Sequence, residues 1–382
     1  MHCMIYSDIR KGLLLTCISL SLSLVLWSNI GQAKPEKTKL TPAEKAKFKA
    51  KVLVDRETEK LDLYWGTGAK DRLPTPDPVD GTYTFIKEEE GNQTFPKVIV
   101  KDSHGVKWKL KFGMPGDSKA QSETAATRLA YGCGIFSSRE VYYVASGKLK
   151  NFKFAPKNPE TGFISRLGKF QLQQDAKNPE IYNFSKVSFT RKEKNTDELD
   201  SDGWNFGDPS LPIRNDREFS ALKIFTVLIN NWDTKDSNVE VSYRKSGDAW
   251  YDLKDLGAAF GNFDTSGLRS LQKNYGQTRF NLKDYKNSRF ISWPAGGPQE
   301  IKSEKISLHY MNHPGQLPAN KVELRSVPVA HAKWYYETVL SKLTKAQVEG
   351  AFKAAGATQA EVKGFSQKFM EKVQELKMAI GD

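Results

Sequence analysis

The chain predicts an α+β fold in two lobes: a small β-rich N-terminal lobe with one helix, and a larger, mainly helical C-terminal lobe carrying a β-hairpin. Three observations predict it. Short alternating stretches separated by turn residues run from residue 82 to 144 and are interrupted once by a helical pattern. An apolar helical repeat (Phe219, Leu222, Phe225, Leu228, Ile229) leads into a polar loop and then a hairpin. Two helices with capping signatures close the chain.

Residues 1–33 have the make-up of an export signal. Arg10 and Lys11 form a basic start, Gly12 to Trp27 is apolar, and Gly31-Gln-Ala33 offers small residues for cleavage. The apolar run is short for a membrane span, and no later stretch is long and apolar enough for one. An exported protein, periplasmic or secreted, is therefore expected, without a membrane span once the signal is removed. Cys3 and Cys17 leave with the signal, and Cys133 alone cannot form an internal disulfide, so stability must come from packing. Lys and Arg number 58 against 45 Asp and Glu, a formal charge of +13 that favours acidic partners: phosphorylated ligands, anionic envelope polymers or nucleic acid. A solvated lysine-rich surface explains the same balance. DNA is not an expected partner.

Residues 34–51, rich in Lys, Glu and Pro, are expected to be a mobile leader. The N-terminal lobe then spans 52–147 and the C-terminal lobe 148–382. After a Pro-rich loop at 71–82, strands are expected at 82–86, 97–101 and 106–112, with an Asp102-Ser-His-Gly105 turn before the last. In that last strand Trp108, Leu110 and Phe112 share one face, and Lys107, Lys109 and Lys111 the other. Ser118 with Gln121 makes a capping pattern for a helix over 121–131, on which Glu123 can face back toward the lysines. A further strand at 141–144 ends at Ala145-Ser-Gly147, the expected hinge. Residues 148–200 alternate lysines with aromatics, and 192–202 is expected to be a loop.

The C-terminal lobe is organised around Leu228-Ile-Asn-Asn-Trp-Asp-Thr-Lys-Asp-Ser-Asn238 and Asp255-Leu-Gly257. Asn215 and Glu218 are the expected cap of the helix before it. Strands at 239–243 and 249–253, joined by Lys245-Ser-Gly-Asp248, form a hairpin that returns Asp255 to Asn238. Two oxygen-bearing side chains there, with Asp233 close by, suit a magnesium site. Beyond Asp255 a Gly/Asn/Ser-rich passage to about Arg289 is expected to be irregular surface. Thr344 with Gln347, and Thr358 with Glu361, start the closing helices. Val362, Phe365, Phe369, Val373 and Leu376 make the core stripe of the second.

A lysine on a strand, a glutamate on the next helix, Asp233-x-x-x-x-Asn238 and then Asp255-Leu-Gly257 resemble the atypical protein-kinase-like fold, in particular the HipA-type and phosphoinositide lipid kinases. Those families have Asp-Arg-His-x-x-Asn and Asp-Phe-Gly where this chain has Thr234-Lys235 and Leu256. Trp-x-x-Lys-Phe-Gly, Ser-Glu-Thr-Ala-Ala, Asn-Asn-Trp-Asp-x-Lys-Asp and Asp-Leu-Gly-Ala-x-Phe-Gly together resemble, more closely, a family of exported bacterial proteins of unknown function. The resemblance implies ATP as co-substrate and Mg2+ or Mn2+ as cofactor. It implies that Lys111 contacts the nucleotide phosphates, Glu123 orients it, Asp233 accepts the proton of an attacking hydroxyl, and Asn238 and Asp255 hold the metal. Lys109, two residues along the same face, is the alternative to Lys111. The implied function is phosphoryl transfer to a hydroxyl of a protein or glycan acceptor. A catalytically inactive kinase-like module that binds nucleotide or an anionic envelope polymer is the alternative. No Gly-x-Gly-x-x-Gly precedes the lysine strand, so Gly91 or the Asp102–Gly105 turn is the candidate phosphate-covering loop. His309 and His313 have metal-ligand spacing, but Tyr310 stands where a zinc protease needs Glu, and Pro314-Gly315 argues for a turn. Cys133, between glycines, is expected to end a helix rather than act as a nucleophile.

Overall fold

The structure is a computed structural model whose described residues are 39–66, 81–90, 96–113, 118–137, 140–154, 157, 167, 172–191, 197–264, 276–310 and 323–382. The expected export signal, at 1–33, lies outside them. Residues Met1–Lys45 and Ala46–Asp382 are two separate units. In the first, the described stretch holds one helical turn, α1 (Pro42–Lys45), closed by reciprocal bonds between Thr41 and Glu44.

The second unit is mixed α+β. Its first layer is a six-stranded sheet of β2 (Thr82–Glu88), β3 (Lys97–Lys101), β4 (Lys107–Phe112), β5 (Val141–Lys150), β6 (Leu172–Gln174) and β7 (Ile181–Arg191), in the order β4-β3-β2-β5-β7-β6. β4 also pairs with β7, from Trp108 opposite Arg191 to Phe112 opposite Val187. Five strands therefore close into a ring, and β6 hangs from β7. Alternation explains the closure: Trp108, Leu110 and Phe112 point into an apolar interior with Tyr83, Val98, Val100, Leu149 and Phe189. Edge-on aromatic pairs such as Trp108 with Tyr142 fill it. Against this sheet packs helix α2 (Lys119–Gly132), buried on most of its surface, which begins after Ser118 as the sequence suggests, although the Ser118 side chain makes no capping bond.

The second sheet has the order β1-β10-β9-β8. It is built from β1 (Lys49–Lys51), β8 (Glu198–Gly203), β9 (Val239–Arg244) and β10 (Asp248–Leu253). β9 and β10 are the expected hairpin, with Tyr243 opposite Ala249 and Val239 opposite Leu253. Helix α3 (Arg217–Leu228) precedes it. The small pairs β11 (Phe263–Asp264) with β12 (Gly276–Gln277), and β13 (Lys305–Ser307) with β14 (Ser326–Pro328), complete the strands. Helices α4 (Leu282–Asn287), α5 (Val329–Thr338), α6 (Lys345–Ala354) and α7 (Gln359–Ala379) follow. Both expected capping boxes form, at Thr344 with Gln347 and at Thr358 with Glu361. The α7 stripe is buried, with Phe365 stacked on Phe352 at 5.0 Å.

Several expectations are corrected. The leader does not stay apart to residue 51, because β1 pairs in parallel with β10. Ala145–Gly147 is not a hinge: β5 runs through it, paired with β7 on both sides. Gly147 is required there for packing, since a Cβ would lie 2.4 Å from the Phe184 ring. The first sheet therefore extends past residue 147, and the chain leaves it between Arg191 and Glu198. The second half of the expected 192–202 loop is strand β8, while 192–196 lies outside the described residues. The passage after Asp255 includes a capped helix, α4, with Asn281 accepting from the Asp284 backbone N–H at 3.1 Å.

Candidate functional site

Lys111 sits on β4 opposite Lys97 of β3 and Ser188 of β7, so pairing fixes its backbone on both sides. Its Nζ donates to Asp255 Oδ1 at 2.7 Å and lies 3.5 Å from Glu123 Oε2. Lys111, Glu123 of the next helix and the sequence-distant Asp255 thus meet at one ammonium group. Lys109 shares the face but pairs with Glu89 at 3.1 Å, so the structure brings Lys111 rather than Lys109 to Glu123 and Asp255. Glu123 is almost fully buried on α2, which also donates from Ser122 Oγ to Ala259 O at 2.7 Å and so fastens itself to the segment after Asp255.

Asp255 follows the hairpin in left-handed backbone conformation, φ +59, which costs an aspartate less than most side chains. A second cation, Lys119, reaches it from the first position of α2, with Nζ at 3.0 Å from the same Oδ1. Burial works to raise the Asp255 carboxyl, but the charges of Lys119 and Lys111 outweigh it and hold the group well below the usual carboxylate range. Lys119 is shifted downward, first by burial and then by Lys111, against the pull of Asp255 and Glu123. The sequence reading missed Lys119. Its one signal was a position between a capping serine and a helix, which says nothing about where an ammonium points.

The polar loop is held by long-range bonds. Asn230, at φ +53, donates to Gly261 O, and Phe260 N donates to Ile229 O at 2.9 Å. Trp232 Nε1 donates to Thr278 O at 3.4 Å, and Thr234 is buried against the Tyr310 hydroxyl at 2.6 Å. Thr234 is therefore a packing residue, which accounts for a small side chain there. Asp233 accepts from Lys235 Nζ through Oδ2 at 3.1 Å, while Oδ1 is buried and takes no hydrogen bond among the described residues. Asn238 Nδ2 donates to Asp233 O at 3.0 Å. Asp236 is exposed, at the start of the 3-10 turn Asp236–Asn238.

The expected site residues thus form two groups, Lys111 with Glu123 and Asp255, and Asp233 with Asn238. Backbone joins them: Lys254 N donates to Asn238 O at 2.9 Å, directly beside Asp255. The Asp102–Gly105 turn lies at the far end of the β3–β4 hairpin from Lys111, and the Asp102 carboxylate is taken by His104 N, Val106 N and Trp108 Nε1. The β2–β3 connection starts at the Lys111 end, but Gly91 falls outside the described residues. So does His313, and among the described residues no three His, Cys, Asp or Glu side chains gather to hold a metal. Cys133 is buried at the end of α2 and burial pushes its thiol up, which disfavours the thiolate a nucleophile needs.

No family model matches the chain, and no curated protein does. Among solved structures, it is similar to a Helicobacter pylori proinflammatory kinase, CtkA, at 11% identity and a TM-score of 0.36, over 78% of this chain and 94% of that one.

Proposed function

We propose that this protein is an exported kinase of the atypical protein-kinase-like fold, transferring a phosphoryl group from ATP to a hydroxyl of a protein or glycan with Mg2+ or Mn2+. The observation that carries the reading is Lys111 held between Glu123 of the next helix and the sequence-distant Asp255, at 3.5 and 2.7 Å. The closed sheet with α2 is the small lobe in this reading, the remainder is the large lobe, and the passage between them is at 191–198. Export rests on the character of residues 1–33, and an acidic acceptor on the formal charge of +13.

The donor set fits a magnesium-bound nucleotide. Asp255 and Asn238 would hold the cation through hard oxygen donors. A divalent cation held there would supply charge neutralisation for the transferred phosphoryl group. Lys111 and Lys119 supply positive charge at the same point, and Glu123 keeps Lys111 directed inward. The buried Oδ1 of Asp233, without a hydrogen-bond donor among the described residues, is the acceptor for an incoming hydroxyl. Lys235, on the other oxygen, holds the carboxylate in place.

A second reading, a nucleotide-binding module without turnover, has one observation in its favour: Asp255 and Asp233 are each already ion-paired to lysine. One experiment separates them. Purified protein is incubated with γ-labelled ATP and Mg2+ or Mn2+, alongside Asp233→Ala and Asp255→Ala. Label transfer by the wild type alone supports the kinase. ATP-dependent thermal stabilisation without transfer supports the module. Absence of both removes the nucleotide reading and leaves polymer binding, tested by salt-sensitive retention on an anionic glycan.

A further inference from the structure

We propose that Lys119 is a second phosphate-binding lysine, and that together with Lys111 it lets this site hold a nucleotide polyphosphate without a divalent cation. The inference rests on the nucleotide reading above and adds a residue and a metal-independent mode to it.

Two ammonium groups converge on one oxygen, Asp255 Oδ1, at 2.7 and 3.0 Å. Two ammonium groups gathered on one oxygen repel each other, so the arrangement needs an anion between them, and Asp255 provides it. A phosphate oxygen is an equivalent acceptor for both lysines, and its charge-assisted contacts are of the same kind. When Asp255 turns to a cation, the two lysines are left facing the phosphates. Without a cation, a polyphosphate brings enough negative charge to share the lysines with Asp255 or replace it. Lys119 is suited to follow, because its four-carbon stem carries a point charge that needs no fixed orientation.

Gly257 supports the same conclusion independently. Its backbone is not left-handed, so conformation does not demand glycine there. Sterics do: a Cβ on Gly257 would come within 2.6 Å of Lys119 Cγ and 2.7 Å of Cε. The glycine of Asp255-Leu256-Gly257 is the slot through which Lys119 reaches the acid. The Lys119 side chain is only 13% exposed and is directed to Asp255 rather than out to solvent.

Calorimetric titration of the full chain with ATP, once in EDTA and once with Mg2+, tests this on the wild type, Lys119→Met and Gly257→Ala. The wild type is expected to bind ATP in EDTA. Lys119→Met is expected to weaken that binding about tenfold or more, the size of one lost charged hydrogen bond. Gly257→Ala keeps the charge but displaces the stem, and is expected to weaken it in the same direction. Wild-type binding that requires Mg2+ overturns the proposal and leaves the nucleotide reading standing. EDTA-phase affinity unchanged in Lys119→Met, or in Gly257→Ala should the methionine variant not fold, also overturns it. A wild type that binds ATP under neither condition overturns both.

Discussion

Lys372 is the strongest test of how the polar loop is held. It lies on α7, fully buried, with Nζ donating to Leu228 O at 3.3 Å and sitting 4.5 Å from the centre of the Tyr285 ring. The Tyr285 hydroxyl donates to the same carbonyl at 2.8 Å. Leu228 ends α3, so these donors satisfy a helix-terminal carbonyl just before Asn230 and Asp233. The helix C-terminus favours a cation, but burial dominates. It lowers the lysine well below its ordinary value, Lys368 adds to the shift, and Glu375 opposes it. The sign follows. Below the folded-state value both states carry the proton, and the wild type bears the whole penalty of a buried ammonium. Between that value and 10.5 the unfolded chain binds the proton and the folded chain does not, so stability rises with pH. The slope for one proton is about 1.4 kcal/mol per pH unit. Lys372→Met removes the titration and leaves Tyr285 on the carbonyl. Urea unfolding of both proteins from about pH 6 to about pH 9.5 should show wild-type stability climbing relative to the variant across the upper part of the range. Parallel curves over that range would refute the reasoning, because they would mean that the amine titrates as though in water.

Two further outcomes follow from the core around α7. Thr358→Ala removes one half of the α7 capping box, in which Thr358 Oγ1 accepts from Glu361 N at 3.3 Å, and should cost about 1 kcal/mol in urea unfolding. Phe365→Ala removes the ring stacked on Phe352 at 5.0 Å and tilted against Phe280 at 4.6 Å, and should cost about 3–5 kcal/mol, enough to read as a large drop in thermal midpoint.

What was legible in the chain depended on the range of the interactions. Capping boxes at Thr344 and Thr358 are settled within four residues, and the structure has both. The β9–β10 hairpin is equally local, and its turn and register were readable from Lys245-Ser-Gly-Asp248. The start of α3 shows the limit. Glu218 looks like a capping partner for Asn215, yet the cap position is Asp216, and the Glu218 carboxylate instead accepts from Val52 N and Leu53 N at 3.1 and 3.3 Å. No pattern near residue 218 announces strand β1 as its neighbour. Ala145-Ser-Gly147 failed for the same reason, since small residues that suit a turn also suit a strand crossed by a bulky ring. Helix α5 was missed because it begins after Pro328 with no side-chain cap. At the site, the pairing of Lys111 with Glu123 was legible because strand and helix are consecutive. The convergence of Lys119 on Asp255 was not, because it depends on an empty Cβ position at Gly257.

The ring formed when β4 joins β7 has a mechanical consequence. A strand with a free margin can slip or peel, and its side chains shift with it. β4 has partners on both flanks, and a slip by one residue would turn Trp108, Leu110 and Phe112 out of the interior. Lys111 is thus carried on a stiff hoop, and it can shift only with the hoop as a whole.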